Sequence, residues 1–374
     1  MMVLRKGVPL VRKLTFMPSA TSQRKDSHLD LCASEEVEPS QNRTLLECVQ
    51  LIHCAMPEMA TAEVNLSTPF MGKVLKVPLM ITGMTGGTDR AAEVNRDLAT
   101  LAEDQGLAFG VGSQRPMSED STLRSSFHVR SVAPTAVVIG NIGLRQAIAL
   151  GLPAISRLAE GIGADGLALH LNAAQELTQP EGDRDFRGGY AMVGQLARHF
   201  GPGLLVKETG CGISPQVARR LFELGVMNID VSGLGGTSWV RVEQLRAQGV
   251  AAEVGESFSG WGIPTAAAIA SVRTSVPNNL TLVASGGIRT GLDVAKALSL
   301  GADLAGMALP LFRAQQQGGV EGAKTALETV LTGLRQAMLL TGSKSPSDLR
   351  TLPKIITGEL KDWLAGLQSR SVNV

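Results

Sequence analysis

The stretch HLNAAQELTQPEGDRDFRG, His170 to Gly188, places a His, an Asn, a Gln and a Glu within seven residues and adds five further charges behind them. It begins where a short apolar run, GLALHL (166–171), ends. Two readings fit such a set. One is a solvated loop, in which Asp183, Arg184, Asp185 and Arg187 tie the chain together by mutual ion pairs. The other is a site for an anionic substrate and a metal ion. Taken singly, a His is most often a hydrogen-bonded structural residue and a Glu a surface charge. The choice therefore depends on what positions His170, Asn172, Gln175 and Glu176.

From about residue 78 the chain repeats one unit, a short apolar run followed by an amphipathic helical stretch. The runs are VPLMITG (77–83), LAFGVG (107–112), AVVIGN (136–141), GLALHL (166–171), GLLVKE (203–208), MNIDVSG (227–233), LTLVASGG (280–287) and DLAGMAL (303–309). They are rich in Val, Ile, Leu and Ala and do not strictly alternate, as expected of strands buried on both faces of a parallel sheet. Several intervening helices stop at Gly. Eight such units predict an α/β fold, a TIM (β/α)8 barrel with an N-terminal extension. Its active site would form at the C-terminal strand ends. A doubly wound open sheet is the structural alternative.

Residues 1–23 are expected to form a flexible, basic extension, and residues 24–374 the barrel domain. Within that domain, residues 40–57 read as helix and 62–78 as a hairpin turning near Pro69 to Gly72 that closes the barrel bottom. Residues 243–263 read as a long mobile loop, and 320–368 as helices interrupted by TGSKSPSD.

Composition excludes several classes. Net charge is +1 and aromatics are 3% of the 374 residues, so neither a nucleic-acid partner nor an acidic membrane surface is implied. No apolar run reaches the roughly 18 residues of a membrane span. Cys32, Cys48, Cys54 and Cys211 form no paired framework, which suits reduced cytoplasmic thiols.

The other strand ends carry their own signals. After the seventh run, ASGGIRTG offers Gly286 and Gly287 for close backbone approach and Arg289 for charge, at a helix start whose free N–H groups suit a phosphate. The eighth ends at Ala308 and Leu309, and the first at Gly83, Met84 and Thr85. Thr85, Ser113, Asn141, Lys207, Ser232 and Thr237 are expected to line one polar ring suited to a flat cofactor with many hydrogen-bonding edges, such as an isoalloxazine. Lys207 would stand near its N1–O2 edge.

The motifs MTGG, GVGSQR, HLNAAQELTQPEGDRDFRG, VKETGCGIS, DVSGLGGTSW and ASGGIRTGLDVAKALSLGAD, with RKDSH at 24–28, closely resemble those of the type 2, FMN-dependent isopentenyl-diphosphate isomerases. The resemblance spans about residues 22–345. It implies conversion of isopentenyl diphosphate to dimethylallyl diphosphate, with reduced FMN doing acid–base work and Mg²⁺ holding the diphosphate. It also implies Glu176 as the Mg²⁺ ligand, and Gln175, His170 and Asn172 as catalytic residues, Gln175 beside the alkene. Arg24, Lys25, His28, Ser113 and Arg115 would join Gln175 in binding substrate. NADPH would reduce the flavin by visiting its pocket, since no separate dinucleotide fold is evident, and a homo-oligomer, tetramer or octamer, is expected. Trp239 could pack near the substrate's apolar end or against a neighbouring loop.

Three rivals remain. An FMN-dependent α-hydroxy-acid oxidase needs a strand-end His base with a nearby Arg, and no His follows the seventh run. A nucleotide dehydrogenase would need a nucleophilic Cys, for which Cys211 is the candidate. A flavin-binding scaffold would be expected to show gaps in the polar set.

Overall fold

The computed structural model describes residues 20–38 and 43–369. The expected extension therefore lies mostly outside the described residues. Its last four residues, 20–23, begin the helix Ala20–Ser34.

In chain order the strands are β1 (Val49–Leu51), β2 (Thr68–Phe70), β3 (Lys73–Leu75), β4 (Leu79–Ile81), β5 (Ala108–Gly110), β6 (Val137–Gly143), β7 (Gly166–His170), β8 (Leu204–Lys207), β9 (Asn228–Asp230), β10 (Thr281–Ala284), β11 (Leu304–Met307) and β12 (Lys354–Ile356). Strands β4 to β11 form a closed, parallel eight-stranded barrel, with β11 paired to β4. Seven of them lie within the apolar runs, and β6 extends two residues past the end of its run at Asn141. The barrel interior is filled by Met80, Ala108, Val137, Ile139, Ala168, Leu205, Val283 and Leu304. Phe70 and Leu75 of the β2–β3 hairpin join that cluster, so the hairpin plugs the N-terminal end as expected.

Two aspartates stitch that same end in matching ways. Asp165 N–H donates to the Val138 carbonyl at 2.7 Å, and its Oδ2 accepts the Val138 N–H at 2.8 Å. Asp303 does the same with Leu282, at 2.7 and 2.8 Å. Each carboxylate is paired with arginine, Asp165 with Arg130 and Asp303 with Arg273 and Arg350.

Three expectations need correction. Residues 40–57 are not a helix. The described part holds a 3₁₀ turn (Leu46–Cys48) and β1, which pairs antiparallel with the unanticipated β12. The apolar spacing resembled a helix, but Leu45 turns left-handed at φ 58° and redirects the chain. Residues 243–263 are not one long loop. They complete the helix Trp239–Arg246, which Ser238 caps by accepting the Arg241 N–H at 3.2 Å, and add the helix Val250–Ser257. An Arg241–Glu256 ion pair at 2.7 Å ties the two together. At the C-terminus, β12 separates the helix Pro346–Thr351 from the helix Gly358–Ser369.

Candidate active site

The C-terminal strand ends surround one crevice with two adjoining halves. Gly83, Met84, Lys207, Thr209 and Trp239 line both. One half, about 650 Å³, is bounded by Ser232, Thr237, Ser285, Gly286, Gly287, Ala308 and Leu309. The other, about 710 Å³, is bounded by Arg24, Lys25, His28, Ser113, Arg115, Asn141, His170, Asn172, Gln175 and Glu176.

The first half has the backbone features of a phosphate cradle. A Cβ on Gly286 (φ +98°) would lie 2.1 Å from the Gly233 carbonyl oxygen, and one on Gly287 (φ +81°) 2.4 Å from that of Gly235. Only glycine fits either position. The helix beginning at Leu309 has no side-chain cap and no acid in its first turn, and Ala308, Leu309 and Pro310 at its start line the crevice. Uncapped N–H groups beside glycines suit a phosphate. Arg289 does not line this cavity. Its guanidinium donates to the Gly287 carbonyl at 2.6 Å and the Gly235 carbonyl at 2.9 Å, and pairs with Glu38 at 2.7 Å. It braces the loop from outside. Thr85 does not line it either. It is 2% exposed, and its carbonyl is occupied by the N–H groups of Gly112 and Asn95.

The floor of this half is strained and tightly bonded. Ser232 holds φ 38°, an uncommon value for a non-glycine residue. Asp230, fully buried, accepts the Ser232 N–H at 3.1 Å and the Ser285 hydroxyl at 2.7 Å. Burial raises the Asp230 carboxyl above its usual range. His170, Lys207 and Asp230 are register partners on β7, β8 and β9, so the three share one level of the barrel mouth. Burial lowers the Lys207 ammonium. The loop after it is organised by Glu208, whose Oε2 accepts the N–H groups of Thr209, Gly210 and Cys211 at 2.6, 2.7 and 2.5 Å.

In the second half, Arg115 pairs with Glu119 at 2.9 Å and Arg24 with Glu181 at 3.8 Å, while among the described residues no carboxylate pairs with Lys25. Lys25 is pushed down to about 8 by burial, with the charges of Arg24 and Arg115 adding to the effect. Arg24 is lowered by burial and by Arg115. Its Nε is buried without a hydrogen-bond partner. Facing them, the short helix Ala173–Thr178 starts three residues beyond β7, with Asn172 at its N-cap. Glu176 is 5% exposed, and among the described residues no cationic side chain lies within 4 Å of its carboxylate. Its Oε1 accepts from Asn172 Nδ2 at 3.1 Å and its Oε2 accepts the Asp183 N–H at 2.9 Å. A buried carboxylate with hydrogen bonds but no counter-ion fits a divalent cation. Among the described residues no group of three or more His, Cys, Asp or Glu could hold a metal. That leaves room for the Mg²⁺ mode, in which one carboxylate is joined by substrate phosphates and waters.

His170, expected as a catalytic residue, lines this half with its ring strongly perturbed. Burial, with Lys207 and Lys25 nearby, pushes its ring down to about 3, so it is neutral. Asn172 spends its amide on Glu176 and, at 3.3 Å, on Gln175 Oε1. The loop charges are partly as expected. Arg187 pairs with Asp185 at 2.7 Å, Asp183 with Arg145 of a neighbouring helix at 3.7 Å, and Arg184 donates to carbonyls.

Sequence reasoning missed Glu243. It has no exposed surface, and its Oε1 accepts Gln175 Nε2 at 3.0 Å and lies 3.1 Å from His28 Nε2. Burial opposes its ionisation, yet His28, Gln175 and Arg246 hold the carboxyl down to about 2. No signal marked it, because its partners lie in distant stretches of the chain. Thr82, Ser285, Gln146 and Gln179 were also missed, although ASGG already contained Ser285. Trp239 lines both halves and meets His28 edge-on, ring centroids 5.2 Å apart.

Comparison with known proteins bears on this geometry. A family profile described as FMN-dependent dehydrogenase matches residues 189–354. A protein of Metallosphaera sedula named isopentenyl-diphosphate delta-isomerase is 44% identical, over 91% of this chain and 94% of its own. A protein of the same name from Methanosarcina barkeri is 43% identical, over 93% and 95%. Among solved structures, a mandelate oxidase variant with (S)-mandelic acid superposes with a TM-score of 0.63 at 19% identity, covering 90% of this chain and 97% of that one. That likeness extends to the barrel fold alone.

Proposed function

The chain belongs to the type 2, FMN-dependent isopentenyl-diphosphate delta-isomerase family, and on that premise we propose how its crevice carries out the isomerisation of isopentenyl diphosphate to dimethylallyl diphosphate. FMN occupies the glycine-lined half, its phosphate on Gly286, Gly287 and the start of the Leu309 helix. The diphosphate, with Mg²⁺ on Glu176, occupies the half lined by Arg24, Lys25, Ser113 and Arg115. The observation that carries this reading is the pairing in one cavity of a buried, counter-ion-free carboxylate, Glu176, with the cationic side chains of Arg24, Lys25 and Arg115. Only a ligand with both an anionic group and an associated cation satisfies both.

When bound and reduced, FMN supplies the acid–base function at the ring. The protein's share is position and exclusion of water. Lys207 places a cation at the floor shared by both halves. Glu243 fixes the Gln175 amide, so that group meets the alkene in one orientation. Asn172 orients the Glu176 carboxylate toward the metal. Trp239, at the junction of the halves, gives the branched hydrocarbon an apolar wall.

The oxidase rival lacks its base, since ASGGIRTG after β10 contains no histidine. The thiol nucleophile is disfavoured because burial and Glu208 push Cys211 up. The rest of the proposal is a barrel domain of residues 24–374, NADPH as flavin reductant, a cytoplasmic setting and a homo-oligomer. The four unpaired thiols are consistent with the setting, and among the described residues no helix is long and apolar enough to cross a membrane.

The test is an anaerobic incubation of FMN-loaded protein with dithionite, Mg²⁺ and isopentenyl diphosphate in deuterated water. Deuterium-labelled dimethylallyl diphosphate without consumption of reductant is the expected result. Product formation that consumes flavin electrons one for one would overturn the reading.

A further inference from the structure

The helix Ala173–Thr178 turns one face to the cavity along its whole length, from N-cap to C-cap. Asn172, Gln175, Glu176 and Gln179 all line the substrate half, with the i, i+3, i+4, i+7 spacing of a single helix face. The first three are engaged with one another, with Glu243 and with the Asp183 N–H. Gln179 is not. It is 3% exposed, yet its Nε2 has no hydrogen-bond partner.

Its main chain is firmly held. Its N–H donates to the Gln175 carbonyl at 2.9 Å, and its own carbonyl accepts from Gly182 N–H and Arg184 Nη2, both at 3.0 Å. The side chain therefore stays at the wall rather than swinging out to water. A buried amide donor without an acceptor is costly and uncommon. Here it fronts a cavity lined by the cationic side chains of Arg24, Lys25 and Arg115, where an anionic oxygen is the fitting acceptor. A second unpartnered donor, Arg24 Nε, belongs to a side chain that reaches Glu181, two residues beyond Gln179. Both unmet donors thus lie toward the same end of the cavity.

Position along the helix indicates which oxygen. Gln175 is fixed next to Glu243, and Gln179 lies one turn farther from the strand end, about 6 Å along the axis. Gln179 does not line the cofactor half, toward which the substrate's hydrocarbon must point. We infer that Gln179 reads the distal phosphate: its Nε2 donates to a terminal phosphate oxygen and makes the site prefer a diphosphate to a monophosphate. This rests on the diphosphate reading above.

The test compares isopentenyl diphosphate with isopentenyl monophosphate, each with Mg²⁺, by calorimetric titration of FMN-loaded protein. Gln179→Met keeps the volume and removes the donor. Diphosphate affinity should fall about ten- to a hundredfold, as for a lost hydrogen bond to a charged group, with monophosphate affinity changed less than about twofold. In turnover, KM for the diphosphate should rise while kcat at saturation holds. Gln179→Glu keeps the shape but sets a carboxylate against the phosphate, and should weaken diphosphate binding further. It carries the test alone if the Met variant fails to fold. Equal losses for both ligands, or no loss in either variant, would overturn the inference. Wild-type protein that binds no diphosphate would instead overturn the functional reading beneath it.

Discussion

His170 Nδ1 and Asn141 Oδ1 lie 2.8 Å apart, and the direction of that hydrogen bond is set from its far side. Asn141 gives its Nδ2 to the Val111 carbonyl at 3.0 Å, so its oxygen must face the imidazole and Nδ1 must carry the proton. With the ring pushed down to about 3, Nε2 then presents a lone pair to the cavity.

It follows that His170 stays a neutral, Nδ1-protonated imidazole in the ligand-free protein from pH 5 to 8. Nitrogen NMR of histidine-labelled protein should show no titration of this ring in that interval, and a midpoint near 6.5 would refute the assignment. The linked stability effect is acid-sided. The unfolded chain binds the proton more readily, so this contribution is lost as pH falls from about 6.5 toward 3.

Glu243→Gln should act through Gln175. The neutral amide no longer compels Gln175 to donate to it, and Arg246 loses its buried partner. We expect kcat to drop roughly a hundredfold, the scale of a misplaced reacting group, with FMN content unchanged. A comparable rise in KM at unaltered kcat would show that Glu243 serves binding instead.

Glu176→Gln removes the only charge on the cavity-facing side of its helix. The Mg²⁺ concentration for half-maximal activity should rise at least tenfold, while flavin absorbance per chain stays constant. Full activity at limiting Mg²⁺ would show that the carboxylate holds no metal.

Lys25 sets a basic limb. In the free enzyme its ammonium loses its proton near pH 8, so affinity for the anion falls above that value. kcat/KM for the diphosphate should decline from about pH 8 upward, whereas kcat stays flat because the bound anion favours the charged amine. A lysine lowered by folding also weakens the folded state while it is charged. That penalty is relieved as pH rises from about 8 to 10.5. A kcat/KM profile level to pH 9.5 would rule Lys25 out.

Gly286→Ala should abolish stable FMN binding, because the new methyl would overlap the Gly233 carbonyl at a φ only glycine tolerates. Fluorescence titration of the apoprotein with FMN measures this directly. Wild-type affinity in a correctly folded variant would move the phosphate elsewhere.

The barrel was legible because two-sided burial writes each strand as an unbroken apolar run, and a glycine pair after the seventh marks itself. The Asn172–Glu176 face was legible because its members are close in sequence. Glu243 was not, since its chemistry exists only after the helices that follow β7 and β9 meet around Gln175. Arg289 shows the opposite failure. Sequence placed a cation beside the phosphate loop, but nearer acceptors, the Gly235 and Gly287 carbonyls and Glu38, claim it. β1 escaped notice because its partner β12 lies at the other end of the chain, and pairing over that separation leaves no local pattern.

The seam between β4 and β11 has a consequence for biogenesis. The compartment proposed for the flavin takes one wall from Thr82 to Met84 and another from Gly306 to Pro310, which meet only when that seam closes. A nascent polypeptide halted on the ribosome before its eighth barrel strand emerges would leave the nucleotide nowhere to dock. Yellow colour therefore reports that the ring has been completed, and a quality-control assay needs nothing more than a visible spectrum.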